Sequence, residues 1–207
     1  MVYGERFNTY SHLFGLLVVL GGAGLLLAQA AREASGTMVM GVALFGLCSV
    51  VLYAASILCH GSRGRLKAWS QRADHGAIYL MIAGTYTPFA LAGWSGSADT
   101  ALLATIWLVA LAGALREMAG ARQPLLWLYI GMGWLCVLGA VSLAPRLGVA
   151  STSWLLGGAA FYTVGTFFYA NRWGWRHAHG TWHLFVLAGT ASHDVALAFH
   201  LKLLPGG

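Results

Sequence analysis

Long apolar runs separated by short polar connections set the pattern of the whole chain. Stretches of spanning length fall at about 12–31, 37–60, 74–95, 99–116, 124–144, 151–170 and 180–204. Each approaches the roughly 20 residues that a helix needs to cross the hydrocarbon of a bilayer. Several carry glycines, which lipid-embedded helices tolerate. The connections hold the punctuation: AREASG, GSRGRLKAWSQRA, GSAD, REMAGARQP, APRLG and NRWGWRHAH. The pattern predicts an all-α fold, a seven-helix transmembrane bundle whose fourth helix is the shortest. One integral membrane domain over residues 1–207 is expected, with no room for a separate soluble one. The first run is long enough to remain as a span, so no cleaved leader is expected.

Composition agrees. Of 207 residues, 58% are hydrophobic and only 9% charged, against about a quarter charged in a soluble domain, so a soluble globular protein is excluded. The net charge of +6 invites a nucleic-acid reading, but the basic residues are scattered over short connections. They speak to topology instead. Arg6, then Arg63, Arg65, Lys67 and Arg72, then Arg116 and Arg122, then Arg172 and Arg176 fall on one side; Arg32, Arg146 and Lys202 fall on the other. The excess of Lys and Arg marks the cytoplasmic side, so the N-terminus is expected inside and the C-terminus outside. Cys48, Cys59 and Cys136 all lie within apolar runs, and an odd count without paired spacing speaks against a disulfide framework. Cys59 adjoins His60, yet neighbouring helical positions point about 100° apart, which makes it a poor co-ligand.

Candidate chemistry collects at the ends of these runs. His60 ends the second, Asp74 opens the third, and His179 and His183 open the seventh. With the expected topology, all four lie at one depth, just inside the cytoplasmic leaflet. His179 and His183 are four apart, which puts their Cβ atoms about 5–6 Å from each other on one helical face. Imidazole is the commonest side-chain metal ligand, and three neutral imidazoles with an open fourth position suit catalytic zinc. Ser56 precedes His60 by one turn on the same face, where its hydroxyl can meet a water or a substrate oxygen. The bland alternative is a set of interfacial histidines bonding headgroups or neighbouring helices, with Asp74 paired to Arg72 or Arg63. A carboxylate at a span end is costly without a partner, which favours the metal site. His75 faces away from Asp74 and His177 lies in a connection. His12, with Asn8 and Ser11, opens helix 1 on the cytoplasmic side, as a rim or as an outer layer around the ligands. His193 and Asp194 lie about 15 Å further along helix 7, too far for the same ion, and His200 falls at the outer interface.

In this order, the segments LYAASILCHGSRG, RADHGAIYLMIAGTYTPFAL, GGAAFYTVGTFFYANRW and HAHGTWHLFVLAGTASHD resemble the haemolysin III family, the bacterial branch of the progestin and adipoQ receptor family. The resemblance runs through nearly the whole chain. The wider superfamily, which includes alkaline ceramidases, is marked by Ser-x3-His, an Asp and His-x3-His; Ser56, His60, Asp74, His179 and His183 match it position by position. The resemblance implies seven helices with the N-terminus inside, zinc (Zn2+) held by His60, His179 and His183, and Asp74 reaching the ion through a water, as in the receptors. It also implies a multi-pass protein of a bacterial inner membrane. Cys59 stands where an aromatic residue is expected in this branch. The receptors' long soluble N-terminal region is absent, so receptor signalling does not carry over.

If the site reacts, Asp74 serves as general base and then acid, and Ser56 steadies the developing oxyanion. The substrate then enters from the bilayer, and an amide-bearing membrane lipid is the natural class. The alternative is a non-enzymatic, zinc-stabilised membrane-homeostasis or sensor protein. A pore-forming cytolysin is the third class, but no amphipathic insertion segment supports it. The sequence leaves open whether Asp74 binds the ion directly, which lipid is used, and the oligomeric state.

Overall fold

A computed structural model describes residues 5–92 and 96–204. Among these residues the chain forms seven helices and no strand: α1 (Arg6–Glu33), α2 (Gly36–Gly61), α3 (Gly64–Ala92), α4 (Ser97–Met118), α5 (Leu126–Leu147), α6 (Val149–Ala170) and α7 (Ala178–His200). The expected seven-helix membrane bundle is the fold. The final residues of the expected third run, 93–95, lie outside the described residues.

The bundle draws its polar side chains inside, among an apolar core, and leaves its outer face apolar. Phe14, Leu17, Leu108, Leu115, Trp127 and Leu138 face outward, whereas Ser56, His60, His183, Thr190 and His193 are buried. A soluble core reverses this order. Intramembrane polar residues face the bundle interior for the same reason, because hydrocarbon cannot hydrogen-bond them. That inversion explains why four helices, α1, α2, α4 and α5, are apolar enough to cross a membrane on composition alone. The other three, α3, α6 and α7, fall below that measure because Ser, Thr, Tyr, Trp and His residues dilute their apolar runs. Many of their hydroxyls bond the carbonyl one turn back, as Thr87 does to Ala83 and Thr163 to Ala159.

The ring closes in the order α1, α2, α3, α5, α6, α7, with α7 returning to α1 and α4 packed outside against α3. α4, expected to be the shortest, shares the shortest length of 22 residues with α5 and α6. Its peripheral seat exposes Leu108, Leu111 and Leu115.

Two boundaries depart from expectation. The stretch GSRGRLKAWSQRA is not a loop, because α3 begins at Gly64, ten residues before Asp74. Arg, Leu, Lys, Ala and Gln are strong helix formers, so the helix continues out of the apolar zone with its charges in water. α1 likewise begins at Arg6 rather than near His12. At the opposite end α5 and α6 are joined by Gly148 alone, with φ 82° and ψ 160°. Only glycine populates that region freely, and another residue there costs about 1–3 kcal/mol. Gly148→Ala is therefore expected to lower the Tm of the purified protein while leaving metal content unchanged.

Candidate metal centre

Three helices deliver the site. α2 ends at His60, and α7 begins just before His179 and His183, so both imidazole sources sit at the same end of the bundle. One ligand nitrogen from each of His60, His179 and His183 falls within 4.8 Å of the others. His60 Nε2 lies 3.2 Å from His179 Nε2. Two nitrogens bound at about 2.0–2.1 Å to one tetrahedral ion stand about 3.4 Å apart, so this spacing fits a shared metal.

The outer contacts fix which nitrogen each ring offers. His60 Nδ1 donates to Glu5 Oε2 at 2.6 Å. His183 Nδ1 donates to the Asn8 carbonyl at 3.1 Å, with Ser11 Oγ also 3.1 Å away. A neutral ring that donates through Nδ1 keeps its lone pair on Nε2, and an outer partner of this kind orients a metal-binding histidine and raises its basicity. The donor set therefore fits a borderline-soft divalent ion such as zinc.

The start of α1 supplies all of these outer contacts. Gly180 makes room for it, because a Cβ there would collide with the Phe7 ring. Glu5, just outside α1, is also held by Asn8 Nδ2 at 2.8 Å and approached by Lys67 Nζ at 3.5 Å. Burial works against its charge, but Asn8, His60 and Lys67 together outweigh that and hold its carboxyl below the usual range. Glu5 was not singled out in the sequence. Its signal is the helical spacing of Glu5, Asn8 and His12, which puts a carboxylate on the face that carries His12. Glu5→Gln is expected to weaken zinc affinity by about 10–100-fold, the usual cost of losing such a partner, as read by competition with a calibrated chelator.

Asp74 lies beside this group and outside the three-histidine set. It approaches His60 and Cys59 within the same 4.8 Å radius. Ser56 Oγ is buried next to the Asp74 carboxyl, close enough to act on it, but makes no hydrogen bond of good geometry. Cys59, set aside on angular grounds, thus forms with His60 and Asp74 a second group close enough to hold an ion, sharing His60 with the first. Arg72 turns its guanidinium toward Gly120. Of the two expected seats for His12, rim or outer layer, the structure gives the outer layer. His12 is 3% exposed and its ring stacks on His183 with centroids 3.6 Å apart. His75 contacts Glu117 at 3.8 Å and His177 is exposed, both apart from the three histidines.

A cavity of about 140 Å³ starts at this end and runs between α2, α3, α5, α6 and α7. Ser56, Asp74, His179 and His183 stand at its polar mouth; Leu52, Met81, Phe89, Val137 and Val186 form its apolar wall; His193 lines the far part.

The fold and this end of it define a polytopic membrane bundle with a metal-competent histidine triad opening on an apolar chamber. The chain belongs to the haemolysin-III related family, whose model matches residues 2–194. It is 32% identical to the Hemolysin-3 homolog of Bacillus subtilis (strain 168), over 97% of this chain and 96% of the relative. Hemolysin-3 of Bacillus cereus is 31% identical over 95% of this chain and 91% of its own. The human Monocyte to macrophage differentiation factor is 25% identical over 98% and 87%. No solved structure matches the chain.

Proposed function

We propose that this protein is a zinc-dependent hydrolase of the bacterial inner membrane that cleaves an amide-bearing lipid from within the bilayer. One observation carries the reading: Asp74 lines the same cavity as His179 and His183 and lies within 4.8 Å of a His60 ligand atom, yet stands outside the three-histidine group. A structural zinc site is usually closed by four protein ligands, whereas three leave a position for chemistry. His60, His179 and His183 hold the ion through nitrogens that Glu5, Asn8 and Ser11 help to aim. Zinc bound there acidifies water and polarises a carbonyl.

The chain's own groups do the rest. Asp74 accepts a proton as water attacks the amide carbon, then returns it to the nitrogen as the carbon–nitrogen bond breaks. The Ser56 hydroxyl, buried beside the Asp74 carboxyl, donates to the oxygen that gains charge. The apolar wall holds the acyl chain and excludes bulk water. The asymmetry of Lys and Arg supports an inside N-terminus, which sets the cavity mouth near the cytoplasmic leaflet.

The test is release of fatty acid from a long-chain N-acyl lipid by the zinc-loaded protein in liposomes. Zinc-loaded protein that releases none supports the non-enzymatic, zinc-stabilised reading instead. The relatives named as hemolysins raise lysis as a separate activity. Dye retention in the same liposomes is the expected result, and leakage at protein levels that spare controls would revive the cytolysin.

A further inference from the structure

Six buried side-chain polar atoms lack a hydrogen-bond partner among the described residues, and four of them belong to residues that line the cavity at the metal centre. Three, both His12 nitrogens and Ser56 Oγ, stand at the metal end. The fourth is His193 Nδ1, at the far end. Buried polar groups are nearly always satisfied, so an orphan of this kind needs a cause.

The chemistry of the orphan is fixed by its ring. His193 Nε2 lies 3.2 Å from the Leu155 carbonyl, which only accepts, so Nε2 carries the hydrogen. A neutral imidazole then has its lone pair on Nδ1. The Nε2 edge of the ring abuts Gly158 on α6, with Phe89 and Tyr162 beside the ring. His193 is 5% exposed. Its polar neighbours do not need it: Tyr53 and Tyr162 both bond Thr190, and Thr190 bonds the Val186 carbonyl. What is missing at His193 is a hydrogen-bond donor. His193 stands ten residues beyond His183 on α7, about 15 Å along the helix, and the wall between them is mostly apolar, with Tyr162, Thr163 and Thr166 among its residues.

We propose that His193 recognises a hydroxyl in the middle of the lipid's acyl chain, so that the ligand is an amide-bearing lipid with a hydroxylated chain. This rests on the reading that the cavity takes an acyl chain with its polar head at the metal end. An unhydroxylated chain leaves Nδ1 unpaired in an apolar chamber; a chain with a hydroxyl at the matching distance satisfies it.

The experiment compares two product-like probes, 12-hydroxystearate and stearate, binding to the full-length zinc-loaded protein in nanodiscs. A hydrogen bond gained at a buried acceptor predicts a preference of about five- to tenfold for the hydroxylated chain. His193→Phe should bring that ratio to about one, and His193→Gln, whose amide can serve Leu155 and the hydroxyl together, should restore part of it. His183→Ala should alter both affinities and leave the ratio standing. Equal affinities in the wild-type protein overturn the proposal, as does binding of neither probe. Amide hydrolysis without any preference overturns it while leaving the hydrolase reading intact. A preference without hydrolysis does the reverse.

Discussion

Replacing His183 with alanine should remove the protein's zinc. Wild-type protein is expected to hold about one ion per chain, the stoichiometry of a single three-histidine site, and the variant none above background. The expected loss exceeds the 10–100-fold typical of outer-contact changes, because a donor atom itself disappears. Alanine is the best helix former, so α7 should persist and the change should report on the ion rather than on folding. Two readouts separate these. Metal analysis measures occupancy directly. A chelator should lower the Tm of wild-type protein, since an ion that binds only the folded state stabilises it, and should leave the Tm of the variant where it was. His60→Ala should behave alike, and His177→Ala, at an exposed position outside the triad, should keep the ion. Wild-type protein purified without zinc and unable to take it up would end the metal reading.

Much of this arrangement was legible because membrane helices declare themselves by apolar length and because polar residues within them are costly. The seven runs correspond to the seven helices, and His60, His179 and His183 were recognisable as span-end imidazoles at one depth. Hydropathy misled at α3, where charged residues read as a connection although they are good helix formers that simply leave the membrane. The α5–α6 corner was read as the loop APRLG, but Pro145 lies inside α5 and Gly148 alone makes the turn. The contacts that aim the ligands were less legible. Glu5 meets His60 across 55 positions, and Asn8 meets His183 across 175; neither spacing leaves a local periodic trace. His12 could be placed at the right end of the bundle, but its stack on His183 depends on how α1 leans against α7. The orphan at His193 is likewise a property of packing, since the sequence shows a buried histidine and not which of its nitrogens is spent.

Asp74→Asn should separate binding from chemistry. Asparagine is nearly the same shape and can still meet Ser56, but it cannot take a proton from water. If Asp74 is the general base, turnover of an N-acyl lipid should fall by about 10²–10⁴-fold, the usual contribution of a positioned base. Zinc content should stay at the wild-type level, because the ion rests on the three histidines. KM should change little, since the lipid is held by the apolar wall and not by the carboxylate. This pattern differs from that of His183→Ala, in which metal and turnover fall together. Loss of zinc in Asp74→Asn would make the carboxylate a direct fourth ligand, close the site and favour a structural ion. Retained zinc with undiminished turnover would move the base elsewhere, and Cys59, whose sulfur lies within 4.8 Å of both Asp74 and His60, is the next group to replace.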